Sequence, residues 1–256
     1  MNESSSQTRV ALVTGASRGL GRAAAARLAS DGFFVVLTYR SNEAEAEGAV
    51  ADIEKQGGKA LHLQLDVGSL ESIEAFFANF DAAVSKVLGE SRIDVLVNNA
   101  GVMSDQEIGH IDASEFARVF DINVRGALFV TQHALADRLR DGGRVILLGT
   151  GLTRFSMPQY LAYSMSKGAI NTMTQVLAKT LGPRGITVNT LAPGAIETDM
   201  VPYLRTAEGS AQMASVTALA RHGVPDDISN VVSFLASEDS RWVTAQRIEA
   251  SGGMFL

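Results

Sequence analysis

The chain has 256 residues, of which 46% are hydrophobic, and its formal net charge is −6 at pH 7. This composition predicts a folded protein with a large core, and the negative charge gives no electrostatic basis for binding nucleic acid. Cysteine is absent, which excludes disulfides and thiol chemistry, and the four histidines are too scattered for metal-ligand spacing. The polar N-terminus and the lack of an apolar run of about 18 residues predict a cytoplasmic protein with no membrane contact.

Short apolar runs alternate with longer helical patterns along the chain. The predicted strands are 9–14, 33–39, 60–65, 93–97, 144–149, 186–191 and 246–250. The predicted helices are 19–30, 43–56, 69–88, 114–140, 163–181 and 226–236. Continuous apolar strands are typical of a parallel sheet covered on both faces, and this rhythm predicts a doubly wound α/β fold. No linker or repeat interrupts the pattern, so we predict one domain over 1–256, with a substrate lid at about 199–222.

A glycine-rich loop follows the first predicted strand and precedes a helix. It comprises Thr14, Gly15, Ala16, Ser17, Arg18, Gly19, Leu20 and Gly21. In a dinucleotide site, Gly15 permits the tight turn, Gly19 admits the pyrophosphate and Gly21 lets helix and strand pack closely. The helix N-terminus then faces the phosphates. The loop therefore predicts a nicotinamide dinucleotide site, and the simpler alternative is an ordinary tight turn of an α/β protein.

The end of the second predicted strand indicates which dinucleotide binds. Sites for NAD place an Asp or Glu there to hold the ribose hydroxyls. Here the strand ends at Tyr39 and is followed by Arg40 and Ser41, with no carboxylate at the expected place. Because a guanidinium pairs well with a 2′-phosphate, Arg40, joined by Arg18, favours NADP(H). The alternative is that both arginines are solvated surface charges.

Four polar residues indicate the chemistry. Thr150 ends a predicted strand, Asn123 lies on a predicted helix, and Tyr163 and Lys167 stand four residues apart where the next helix begins. Carboxyl ends of parallel strands open on one crevice, and residues four apart share a helix face. We therefore expect Asn123, Thr150, Tyr163 and Lys167 to form a catalytic group beside the dinucleotide.

This group suits the reduction of a ketone, which needs a hydride on carbon and a proton on oxygen. A tyrosine can donate that proton, but its ordinary pKa is about 10. An ammonium about 4 Å away contributes roughly 4 kcal/mol, about what a pKa near 7 requires. We therefore expect Lys167 to lower the pKa of Tyr163. Thr150 polarises the carbonyl, unless it only packs, and Asn123 holds a water that reloads the proton path through Lys167.

Taken together, the motifs resemble a short-chain dehydrogenase/reductase of the classical type, over essentially the full length. The matching segments are 14–21, 66–67, 98–101, 123, 163–167, 193–198, 223–228 and 251–253. The resemblance implies a Rossmann fold with a seven-stranded sheet, hydride exchange with a ketone or secondary alcohol, and a homotetramer. It also implies the remaining cofactor contacts: Asp66 and Val67 at the adenine, Asn98, Ala100 and Gly101 at the ribose, and Thr198 near the carboxamide. Pro193, Gly194 and Ile196, from the same segment as Thr198, are further predicted cofactor contacts.

Two positions depart from the family pattern. The family usually has Ser where this chain has Thr150, thirteen residues before Tyr163. Threonine keeps the hydroxyl but adds a methyl and a stiffer side chain, so we expect activity with a shifted substrate range. The resemblance is nearest to 3-oxoacyl-ACP reductases, yet Phe129 stands where an Arg for the carrier protein is expected. The substrate therefore stays open, although Met200, Tyr203 and other apolar lid residues favour an apolar pocket.

Two other functions compete with ketone reduction. Tyr160 lies seven residues before Lys167, which is the spacing of enoyl-thioester reductases. Alternatively, the chain is a non-catalytic NADP-binding sensor that keeps only the fold. The complete set of Asn123, Thr150, Tyr163 and Lys167 favours carbonyl chemistry, with no metal.

Overall fold

A computed structural model describes residues 8–256 as seven parallel strands in one sheet, in the order β3-β2-β1-β4-β5-β6-β7. The strands are β1 Val10–Val13, β2 Phe34–Tyr39, β3 Lys59–Gln64, β4 Ile93–Asn98, β5 Leu139–Leu148, β6 Thr187–Pro193 and β7 Arg247–Ala250. The predicted doubly wound sheet is therefore confirmed. Residues 1–7, which supply most of the polar N-terminal segment used above, lie outside the described residues.

Helices cover both faces of this sheet. They are α1 Gly19–Ser30, α2 Glu43–Lys55, α3 Leu70–Leu88, α4 Ala113–Phe120, α5 Ala127–Asp137, α6 Leu161–Leu181, α7 Ala207–Ser215 and α8 Pro225–Ala236. On one face, α3, α5 and α6 bury a cluster that includes Phe76, Phe77 and Phe80. On the other face, α1, α2 and α8 bury a second cluster around Leu28 and Leu235. Continuous burial along β1 and β2 explains why those strands appear as unbroken apolar runs.

The predicted helix 114–140 is wrong in two respects. A π-helical segment, Asp121–Gly126, separates α4 from α5. The helix also ends at Asp137, because the buried Leu139 pairs with Ile93 and begins β5 five residues earlier than the predicted strand. The chain then turns at Gly142, whose φ is +77°, before the strand continues.

Side-chain caps explain where several helices begin. The Asp112 carboxylate accepts from the backbone N–H of Glu115 at 2.9 Å and caps α4. The Asp227 carboxylate accepts from the N–H of Val224 at 2.8 Å at the start of α8, as its acidic first turn predicts. The predicted lid region 199–222 contains α7, which the sequence analysis did not identify. Among residues 8–256, no helix is both long and apolar enough to cross a bilayer.

Candidate active site

A cleft of about 730 Å³ opens beside β1 and β4, where the strand order reverses. This is the place where doubly wound sheets bind their ligands. Sixteen predicted site residues line it: Gly15, Ser17, Arg18, Gly19, Leu20, Gly21, Tyr39, Arg40, Ser41, Asp66, Val67, Ala100, Gly101, Tyr163, Lys167 and Thr198. The glycine loop and the Tyr–Lys pair therefore open on one cavity, although about 150 residues of chain separate them.

The other predicted residues do not line this cleft. They are Asn98, Asn123, Thr150, Pro193, Gly194 and Ile196. Asn98 is the last residue of β4, and its side-chain Nδ2 donates to the Thr131 hydroxyl at 2.9 Å on the α5 side. Asn98 is therefore not part of the cleft lining, where the predicted ribose contact would place it. Its side chain instead joins β4 to α5.

Asn99 contacts the glycine loop instead. Its Nδ2 donates to the backbone oxygens of Thr14 and Gly15 at 2.8 and 2.9 Å. The Thr14 hydroxyl in turn accepts from the N–H groups of Asn99 and Ala100, both at 3.0 Å. Asn99 thus ties the segment after β4 to the glycine loop.

Close packing at this loop explains two of its glycines. Gly15 has a φ of +62°, which favours glycine, and a Cβ there would lie 3.0 Å from the Cα of Ala100. A Cβ on Gly21 would lie 2.5 Å from both Asn99 Nδ2 and the oxygen of Gly15. The loop is therefore held against β4 at a separation that a side chain would destroy, which fits a cradle for a pyrophosphate.

Arg40 is exposed at the rim of the cleft, just beyond β2. Its backbone oxygen accepts from Gln64 Nε2 at 2.9 Å, which fixes the main chain. Within residues 8–256, its guanidinium forms no ion pair. Arg18 is also exposed and lies 4.0 Å from the Asp199 carboxylate. Arg40 can therefore bind an anionic group without first breaking an ion pair with a carboxylate.

Asn123 lies in the π-helical segment and is 1% exposed. Its Oδ1 accepts from the N–H of Val102 at 2.8 Å, while Nδ2 donates to the Val102 oxygen at 2.9 Å and to the Ser166 hydroxyl at 3.0 Å. Both amide hydrogens are thus used. The side chain braces the segment after β4 against α6, and only a lone pair of Oδ1 is left for the water that we expected it to hold.

Lys167 lies deep in the cleft and is 5% exposed. Its Nζ donates to the backbone oxygen of Leu148 at 2.7 Å and lies 5.8 Å from the centre of the Tyr163 ring. Burial lowers the pKa of Lys167 to about 8. Lys167 therefore stays protonated at neutral pH, and no carboxylate among the described residues forms an ion pair with its ammonium.

We expected Lys167 to lower the pKa of Tyr163, and for the protein without its cofactor this expectation is wrong. Burial raises this pKa to about 12, and the lowering influence is a hydrogen bond with the Thr150 hydroxyl. Desolvation disfavours the phenolate by more than the hydrogen bond with Thr150 stabilises it, and Lys167 does not offset this. The phenol therefore keeps its proton at neutral pH, beside a second hydroxyl. Thr150 is 8% exposed, and its Oγ1 also accepts from the N–H of Leu152 at 3.3 Å.

Comparison with known proteins agrees with this arrangement. A family model described as Enoyl-(Acyl carrier protein) reductase matches residues 15–255. A short chain dehydrogenase/reductase of Aspergillus aculeatus is 40% identical over 256 residues, which cover 95% of this chain and 94% of that protein. The chain belongs to the short-chain dehydrogenase/reductase family.

Solved structures of this short-chain dehydrogenase/reductase family are similar over nearly the whole chain. The promiscuous reductase LugOII, which catalyses keto-reduction at C1 during lugdunomycin biosynthesis, has a TM-score of 0.93 and 40% identity, covering 98% of this chain and 99% of its own. The angucycline C-6 ketoreductase LanV, solved with bound NADP, has a TM-score of 0.91 and 36% identity, covering 96% of each chain.

The cleft of this short-chain dehydrogenase/reductase also contains residues that the sequence analysis missed. They are Asn42, Glu45, Leu65, Asn99, Val102, Met103, Arg118, Ile122, Asp199 and Met200. Of these, Asn99 lay within the matching segment 98–101, and Asp199 and Met200 lay within the predicted lid. Arg118 and Ile122 come from the α4 region, and no motif marks them. Tyr160 does not line the cleft; it precedes α6 and pairs with Gln106 across a β-bridge. Phe129 is half-buried and packs against the core.

Proposed function

We propose that this protein is an NADP(H)-dependent oxidoreductase that interconverts a small-molecule ketone and a secondary alcohol. The observation that carries the proposal is the shared cleft: Tyr163 and the buried ammonium of Lys167 line the same cavity as the glycine loop. LugOII and LanV, its structural relatives, carry out keto-reductions. NADPH, when bound, supplies the hydride. The chain's own groups bind the two reactants, hold the ketone oxygen and deliver the proton.

The residues of the cleft fit this cofactor. Gly15 and Gly21 let the loop pack closely against the residues after β4, and α1 begins at Gly19, which lines the cleft. Arg40, with Ser41 next to it, would hold the 2′-phosphate, and Arg18 lies on the same side of the cleft. Asp66, Val67, Ala100, Gly101 and Thr198 complete the proposed lining. LanV, the structural relative, has bound NADP.

We assign the proton donor to Tyr163 and the second hydrogen bond to the Thr150 hydroxyl. A phenol with a pKa of about 12 keeps its proton at neutral pH, so it is ready to donate when an alkoxide develops. The Thr150 hydroxyl lies near enough to lower the pKa of Tyr163, so a carbonyl oxygen placed between the two hydroxyls can accept from both. The positive charge of Lys167 then stabilises the phenolate left behind. Asn123 braces the segment after β4 against α6.

Enoyl-thioester reduction is the second candidate, because the matching family model carries that description. In that reaction Tyr160 and Lys167 would do the chemistry. Tyr160 does not line the cleft, whereas Tyr163 does, and this favours the carbonyl reaction. A NADPH-consumption assay with a cyclic ketone and with an enoyl thioester separates the two. Ketone-dependent consumption supports the proposal, and consumption with the thioester alone supports the alternative.

The oligomeric state and the location are also proposals. Apolar side chains are exposed on α6, at Met165 and Val176, and near the C-terminal end, at Phe234 and Trp242. These exposed apolar side chains support the predicted homotetramer, since apolar surface of this kind marks interfaces between subunits. Sedimentation analysis tests it. Dependence on NADPH supports the predicted cytoplasmic location, which cell fractionation tests.

A further inference from the structure

An arginine of the last strand contacts the main chain of a proposed catalytic residue. Arg247, at the start of β7, donates through Nη2 to the backbone oxygen of Thr150 at 3.0 Å. Its Nε donates to the Thr153 hydroxyl at 3.0 Å, and its Nη1 to the Glu249 carboxylate at 3.1 Å. The Thr153 hydroxyl in turn donates to the same Thr150 oxygen at 3.0 Å. One planar guanidinium thus engages three acceptors around the turn that carries Thr150.

The carboxylate in this group is fixed from several sides. Glu249 accepts from Arg154 Nε at 2.8 Å and Nη2 at 2.7 Å, and from the Ser251 hydroxyl at 2.6 Å. Hydrogen bonds from Arg154 above all lower the pKa of Glu249 to about 2, so it stays charged at working pH. Arg154 also donates to the backbone oxygens of Met254 and Phe255. The guanidinium of Arg247 is therefore oriented by a permanent anion tied to the C-terminal segment.

We propose that Arg247 is a positioning residue for the hydroxyl of Thr150. This inference rests on the proposed function, in which that hydroxyl donates to the substrate oxygen. Threonine has a stiff χ1, so the place of its Oγ1 follows the place of its backbone. Arg247 holds that backbone by its oxygen, and Glu249 with Arg154 holds Arg247. Because a misplacement of about 1 Å can cost about a hundredfold in rate, this link from β7 to the cleft governs turnover.

The guanidinium is needed for its shape as well as its charge. Its fork presents fixed donors to the Thr150 oxygen, the Thr153 hydroxyl and the Glu249 carboxylate together, whereas a lysine places one ammonium at the end of a flexible stem. Arg247→Lys therefore keeps the ion pair with Glu249 and loses part of the hold on the Thr150 turn. Arg247→Gln loses both.

A double-mutant cycle tests the inference in the full-length protein. Arg247→Gln and Arg247→Lys are each made in the natural background and in Thr150→Val, which lacks the hydroxyl. Single-turnover rates of ketone reduction, the NADPH dissociation constant and Tm are measured for all variants. We expect Arg247→Gln to slow reduction about tenfold in the natural background and less than about twofold in Thr150→Val. Arg247→Lys should show a smaller loss with the same dependence on Thr150, and the NADPH dissociation constant should change less than about twofold.

Arg184→Gln is the matched control. This arginine also joins a carboxylate, Asp141, and a backbone oxygen, that of Leu139, but it lies before β6 and does not line the cleft. It should leave the rate unchanged. An equal loss from Arg247→Gln in both backgrounds, or no loss in either, would overturn the inference. If Arg247→Gln does not fold, the Arg247→Lys cycle decides in the same way. If Thr150→Val alone keeps its rate, the proposed role of Thr150 fails and the inference falls with it, so the two failures are distinguishable.

Discussion

The ammonium of Lys167 donates to the backbone oxygen of Leu148 at 2.7 Å, at the end of β5. Among residues 8–256, this buried positive charge is thus held by a main-chain carbonyl and by no carboxylate. A carboxylate partner would neutralise the field that the phenolate of Tyr163 needs when its proton has left. The lack of a carboxylate partner destabilises the folded protein and leaves the charge of Lys167 available to stabilise the phenolate.

Because the unpaired, buried charge of Lys167 destabilises the folded protein, removing this charge should increase the free energy of unfolding. The pKa of Lys167 is about 8 in the folded protein against 10.5 in the unfolded chain, so the unfolded chain binds the proton more tightly. The contribution of Lys167 to the free energy of unfolding is therefore lowest below pH 8, rises as the folded state loses this proton, and levels off above about pH 10.5. Lys167→Met removes a penalty of about 3 kcal/mol and loses one hydrogen bond, so the cofactor-free protein should gain about 2 kcal/mol at pH 7.

Urea unfolding at several pH values measures this difference. The gain should shrink between pH 8 and 10.5, and turnover should be lost. Lys179→Met, on the same helix near its C-terminal end, is the control and should show no such pH dependence. A destabilised Lys167→Met protein at pH 7 would contradict the assignment of an uncompensated buried charge.

Arg40 should decide the choice between the two dinucleotides. Arg40→Ala removes a guanidinium that no carboxylate among residues 8–256 engages, so only the contact with the 2′-phosphate is lost. We expect the NADPH dissociation constant to rise about tenfold or more, with that of NADH nearly unchanged. Arg241→Ala, an exposed arginine remote from the cleft lining, is the control. Tighter binding of NADH than of NADPH by the unaltered protein is the result that excludes this assignment.

The glycine loop should not accept a methyl group at Gly21. Gly21→Ala places a Cβ 2.5 Å from Asn99 Nδ2 and from the Gly15 oxygen, so the loop must move away from β4. We expect weaker NADPH binding and a lower Tm. Gly48→Ala in α2 is the control, because its nearest neighbour lies at 4.0 Å and alanine favours a helix. Titration of NADPH fluorescence and thermal unfolding measure both effects, and unchanged binding in Gly21→Ala would contradict the cradle.

The sequence predicted the sheet well, because central strands such as β1 and β2 are nearly continuous apolar runs that are buried along their whole length. It failed where tertiary packing decides. The buried Leu139 looks like the end of a helix until its partner Ile93 is known. The direction of the Tyr163 pKa follows from its burial, which no spacing reports. The contact of Arg247 with Thr150 joins residues 97 positions apart, beyond the reach of any local pattern.

Thr150 should tolerate the loss of its methyl group and not of its hydroxyl. Thr150→Ser keeps the hydroxyl that is the hydrogen-bond partner of Tyr163, so ketone reduction should continue, and bulkier ketones should be accepted because the methyl group beside that hydroxyl is gone. Thr150→Val keeps the shape and deletes the donor, so kcat should fall about a hundredfold. Steady-state kinetics of both variants, with the NADPH dissociation constant as the control, measure this. Equal activity of the two variants would show that Thr150 only packs.

The most direct measurement of the central claim compares Tyr163→Phe with Tyr160→Phe in NADPH oxidation driven by a cyclic ketone and by an enoyl thioester. The account predicts ketone-dependent oxidation by the unaltered protein, a loss of about a hundredfold or more in Tyr163→Phe with NADPH binding unchanged, and only a mild effect in Tyr160→Phe. Retained ketone reduction in Tyr163→Phe, or turnover of the thioester alone with a dependence on Tyr160, would contradict it.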